Sequence, residues 1–251
     1  MTARRTLAAV IALVAVTLAG CSSAPPAPTP TPTAADGSST HALQAADGHT
    51  FSARLWRVDP QRVAIYLHEY REDQAGWWPM ATTTRRLPVS AITFDFRGHG
   101  TDEGDPDDVP GMIEDARAAV AFARAQGFNQ IMLVGAGMGA AIAVHVAAEQ
   151  NDLRVIGLST PSEFDLLDTR AAMPGVAGRI ALVATEEDLS AAHSLTELQE
   201  AGDVPDAYVR LYPGRSHGVD MLRTDAEPPV ALAFVNGLME EFWGETTGVI
   251  R

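Results

Sequence analysis

The chain has 251 residues, 46% of them hydrophobic and 20% charged, which suits one globular domain with additional segments. Its formal net charge is −14, an acidic balance that argues against nucleic acid, whose phosphates need a basic footprint. All 18 basic residues are Arg, and the lone cysteine, Cys21, excludes an intrachain disulfide.

Arg4 and Arg5 precede an apolar run from Leu7 to Ala19, interrupted by Thr17. The run is shorter than the roughly 20 residues of a membrane span. It fits the core of a signal peptide. It ends in Leu18-Ala19-Gly20-Cys21, which resembles the lipobox of bacterial lipoproteins. That resemblance implies removal of residues 1–20 and a diacylglyceryl anchor on Cys21. The protein is then expected at the extracytoplasmic face of the cell membrane, with the membrane as a partner. Prolines 25, 26, 28, 30 and 32 exclude helix and make residues 21–40 an extended, semi-stiff tether.

From His41 to residue 251 the texture is that of a folded domain. Ala42–Gln44 and Phe51–Trp56 flank Asp47-Gly48, a hairpin signal. Val63–Leu67 and Ala91–Phe94 are continuous apolar runs and predict buried strands, with a helix between them over Met80–Arg86. Met112–Gln126 carries Ile113, Ala116, Val120 and Ala123 at helical spacing, and Gly127 is its stop. Ile131–Val134 is the next strand, followed by an almost wholly apolar helix, Gly139–Gln150. Leu153–Leu158, Ile180–Ala184 and Ala207–Tyr212 predict strands, while Ser190–Glu200 and Val230–Phe242 predict helices. Eight strands, the later ones alternating with helices, mean a mostly parallel α/β sheet with an antiparallel start. Only about twenty residues separate the sixth and seventh strands, so a small cap and an open cleft are expected.

In such sheets ligands bind beyond the carboxyl ends of the strands. Those ends carry His68-Glu69-Tyr70, the run Asp95–Gly104, Gly135-Ala136-Gly137-Met138-Gly139, Thr185-Glu186-Glu187-Asp188 and Arg215-Ser216-His217-Gly218. The third of these has the strand–turn–helix frame G-x-S-x-G that lifts a nucleophilic serine to the apex of a strained turn. Here the apex is Gly137. The glycine spacing does not fit a phosphate-binding G-x-G-x-x-G.

Together with Phe94-Asp95-Phe96-Arg97-Gly98-His99-Gly100 and Ser216-His217-Gly218, this frame resembles the α/β-hydrolase superfamily of esterases, lipases, peptidases and dienelactone-hydrolase-like enzymes. The resemblance covers roughly His41 to the carboxyl end and implies an α/β-hydrolase fold. It puts Gly137 at the nucleophile position, Asp188 at the acid position and His217 at the base position. Glu186 and Glu187 compete with Asp188, because the register there is loose. The oxyanion-hole amides would be those of Met138 and Tyr70. His-Glu stands where the family often has His-Gly, and Gly137 stands where it has Ser.

Without that serine the triad has no attacking atom. The first expectation is a membrane-anchored pseudohydrolase that binds a small ester, acyl or peptide ligand, or a protein partner. The alternative is an active hydrolase in which His217 and Asp188 activate water or another nucleophile. Ser216, Ser159, Thr160, Ser162 and Thr185 are near enough in sequence to be considered. A third reading makes Gly137 a variant of an ordinary esterase. His68 and His99 read as structural, and His145 as a satisfied core histidine. The acidic loop at Glu103, Asp105, Asp107 and Asp108 reads as a solvated surface. Trp77-Trp78 caps the pocket or packs on the early helix. No metal motif or cofactor site is expected.

Overall fold

The computed structural model describes residues 34–83, 89–223 and 230–244. The leader, the lipobox with Cys21 and most of the tether lie outside the described residues, as do Thr84–Arg86 at the end of the first expected helix. No helix among the described residues is long and apolar enough to cross a membrane.

Ten strands are present among the described residues. β1 (Ser39–Gln44) and β2 (Thr50–Trp56) form the expected hairpin across Asp47-Gly48. β1 starts inside the segment read as tether. A turn before it, with Ala34 N–H donating to Ser38 O at 2.7 Å, already belongs to the domain. Then follow β3 (Arg62–Leu67), α1 (Trp78–Thr83), β4 (Ser90–Phe94), α2 (Val109–Ala125), β5 (Gln130–Ala136), α3 (Met138–Ala148) and β6 (Leu153–Leu158). A two-stranded hairpin, β7 (Glu163–Phe164) and β8 (Leu167–Asp168), and α4 (Thr169–Ala172) come next. β9 (Ile180–Thr185), α5 (Leu189–Gly202), β10 (Val209–Tyr212) and α6 (Val230–Gly244) complete the chain.

The main sheet has eight strands in the order β1-β2-β4-β3-β5-β6-β9-β10. β1–β2 and β2–β4 are antiparallel and every other pair is parallel. The parallel strands are apolar throughout because helices cover both faces. Along β3, Val63, Ile65 and Leu67 face one core with Met112, Val120, Ile142 and Leu198 of α2, α3 and α5. Ala64 and Tyr66 face the other, with Met80, Leu238 and Met239 of α1 and α6. Between β6 and β9 the chain makes only the β7–β8 hairpin, α4 and a short 3₁₀ turn. This is the small cap expected from the spacing.

Two helices start earlier than expected. α1 begins at Trp78, because Pro79 falls in the first turn, where its missing N–H costs nothing. α2 begins at Val109, with Pro110 in its first turn and the Asp108 carboxylate accepting the Gly111 N–H at 3.0 Å.

Candidate active site

β5 ends at Ala136 and α3 begins at Met138, so the chain reverses at Gly137 alone. The flanking glycines are there for closeness. A Cβ on Gly135 would come within 2.5 Å of the Ala140 backbone, and one on Gly139 within 2.4 Å of Leu67 O. Gly137 is different. Its φ of 50° and ψ of −121° are strained for any residue with a side chain, yet a Cβ there would meet nothing nearer than His217 Nε2 at 3.5 Å. The elbow therefore keeps its shape and keeps room for a side chain aimed at the histidine.

His217 lies after β10, and Asp188 after β9. Asp188 is the N-cap of α5, but its side chain makes no capping bond. Instead its Oδ2 accepts from His217 Nδ1 at 2.6 Å. Glu186 and Glu187 are exposed, their N–H groups bound to Tyr212 O and Gly214 O. The geometry thus picks Asp188 from the three acids. Ser159 Oγ donates to Asp188 Oδ2 at 3.2 Å and accepts the Gly218 N–H at 3.0 Å. It ties the acid to the loop of the histidine and is only 1% exposed, so it is a positioning residue rather than an attacker. Thr185 Oγ1 likewise donates to Ser216 O at 2.9 Å.

Gly137, Ser159 and His217 line an open cleft of about 270 Å³ with Glu69, Tyr70, Met138, Pro161 and Phe164. Tyr70 and Met138 both lie on the cleft wall. The Tyr70 ring packs edge-on against His99 and Phe164, and its hydroxyl donates to Asp107 Oδ1 at 2.8 Å. Glu69 and Phe164 were not legible as cleft residues. Glu69 stood in sequence only within the strand-end run His68-Glu69-Tyr70 and as a departure from a pattern, and Phe164 sits on a hairpin strand of two residues.

Other residues take structural places. Trp77 is fully buried against Tyr66, and the Arg54 guanidinium covers Trp78 at 4.3 Å. Neither lines the cleft. The acidic loop is more than a solvated surface, since Asp108 caps α2 and pairs with Arg97 at 2.8 Å. His145 is half-buried rather than satisfied, its Nε2 lacking a hydrogen-bond partner among the described residues.

His68 accepts the Phe96 N–H on Nε2 at 2.9 Å, so Nδ1 carries the proton and donates to Glu69 O at 2.8 Å. Burial pushes its pKa from 6.5 down to about 4. The unfolded chain therefore takes up this proton first. The stability His68 gives is complete above pH 6.5 and is lost as pH falls towards 4. Between pH 7 and 5 this site alone should remove about 2 kcal/mol, read as a lower urea midpoint. In His68→Gln that part of the fall should disappear.

The comparisons agree with this architecture. Residues 65–243 match the model of the alpha/beta hydrolase family, and the chain belongs to that family. An esterase from Pyrococcus furiosus superposes with a TM-score of 0.68 at 16% identity, over 82% of this chain and 91% of its own. A serine hydrolase from Xanthomonas campestris, described as lacking a lid, gives 0.61 at 17% identity, over 85% of this chain and 97% of its own. Proline iminopeptidase from Mycobacterium smegmatis gives 0.65 at 13% identity, over 81% of this chain and 98% of its own. At such identities these likenesses speak for the fold.

Proposed function

We propose that the protein is a lipid-anchored, extracytoplasmic pseudohydrolase that binds a small ester, acyl or peptide ligand in the cleft. The observation that carries this reading is Gly137 at the elbow, facing an assembled His217–Asp188 pair at 2.6 Å. Histidine takes a proton from a nucleophile and aspartate orients the histidine, but glycine has no atom to attack with. The backbone N–H groups of Met138 and Tyr70 are the pair that would polarise a bound carbonyl. An acyl ligand suits the apolar walls at Phe164 and Met138. Leu166 and Leu189, 75% and 77% exposed, neighbour the cleft residues Phe164 and Ser190 in sequence. The Leu18-Ala19-Gly20-Cys21 run supports the anchor.

The natural chain should show no label from a fluorophosphonate and no ester turnover that His217→Ala abolishes. Turnover lost in His217→Ala would replace the binding reading with a water-activating hydrolase. The anchor is tested by metabolic labelling with palmitate, which Cys21→Ser should abolish.

A further inference from the structure

Glu69 is the polar group of the cleft that this reading leaves unused. Its Oε2 stands 3.5 Å from His217 Nε2, an ion-pair distance. Its Oε1 accepts the Val219 N–H at 2.8 Å. Its Cβ and Cγ lie 3.6 Å from the place a Cβ on Gly137 would occupy. Gly218 has a φ of 49°, and a Cβ there would come within 2.0 Å of Oε1. The seat of this carboxyl thus depends on a side chain missing at 218 and a donor at 219. Burial pushes the carboxyl up from the ordinary range, while the Val219 N–H and His217 pull it down.

We propose that Glu69 is a second disarming residue, whose carboxyl replaces the elbow hydroxyl as the partner of His217 Nε2. This rests on the hydrolase reading of the site. A general base needs its proton on Nδ1, facing Asp188, and a free lone pair on Nε2. Ionised, the Glu69 carboxylate stands at ion-pair distance from Nε2. With the carboxyl protonated, its O–H points at the Nε2 lone pair. In both states Nε2 is engaged, and neither a serine nor a water meets an open base. Loss of the nucleophile and capping of the base are then two separate changes.

Glu69→Ala separates them, because it removes every polar group that faces His217 Nε2 from this position. In the full chain, carbethoxylation of His217 by diethyl pyrocarbonate, followed by peptide mass spectrometry, should speed up about tenfold. If Glu69→Ala does not fold, Glu69→Leu serves, since it fills the space with no polar group to face Nε2. In a Gly137→Ser background, adding Glu69→Ala should raise kcat for a short ester about tenfold. An unchanged rate of His217 modification overturns the proposal. So does a Gly137→Ser chain that hydrolyses the ester measurably and as fast as the double variant. If His217 modification speeds up but neither serine variant turns over, the hydrolase reading fails and the Glu69 assignment stands.

Discussion

Gly137→Ser should give a slow esterase, with hydrolysis of short acyl esters rising about a thousandfold over the natural protein. The elbow has the room: the new Cβ would make ordinary contacts, 3.5 Å to His217 Nε2 and 3.6 Å to Glu69. The hydroxyl would then point at the nitrogen that must take its proton. Asp188 is already in place at 2.6 Å to hold the histidine, and Ser159 holds Asp188. Losing a triad nucleophile typically costs about 10⁶ in kcat. Part of the smaller gain expected here, about tenfold, reflects Glu69, which the serine must displace from Nε2. The substitution should also destabilise the fold by about 1–3 kcal/mol, because a side chain at φ 50° and ψ −121° is strained. Activity rising while the melting temperature falls would be the signature. A stable Gly137→Ser chain with no turnover would mean that the site has drifted beyond its nucleophile.

The sheet was readable because buried parallel strands are continuous apolar runs, and each such run here became a strand. The elbow was readable because Gly135 and Gly139 are dictated by backbone contact that no other residue permits. Two things were hidden. The choice among Glu186, Glu187 and Asp188 depends on which way the chain turns after β9. That turn is set by N–H bonds to Tyr212 O and Gly214 O, more than twenty residues downstream. The part played by Glu69 depends on Val219, 150 residues away in sequence. No local pattern joins two loops at such a separation. The β7–β8 hairpin was missed for a simpler reason: strands of two residues carry no periodicity.

Arg97→Met should cost about 3–5 kcal/mol, the largest loss expected from a single change outside the cleft. Arg97 follows β4 and is 7% exposed at its side chain. Its Nε and Nη2 grip Asp115 of α2 at 3.1 and 2.8 Å, while Nη1 meets Asp47 at 2.7 Å and Asp108 at 2.8 Å. One guanidinium thus joins the β1–β2 turn, the cap of α2 and the interior of α2. The Asp115 carboxyl is fully buried, so methionine would leave it unpaired inside the protein. That unpaired charge, rather than the lost attraction, sets the size of the effect. For a domain of this size the melting temperature should fall by about 10 °C or more. Lysine should not rescue it, because an ammonium cannot make the two parallel bonds to Asp115. Arg97→Met with Asp115→Leu should recover most of the loss, since no charge then stays buried without a partner. Recovery would place the cost in the stranded carboxylate. A double variant as unstable as Arg97→Met would place it in the connection itself, and through His99, 5.2 Å from the ring of His68, the cleft wall would share the damage.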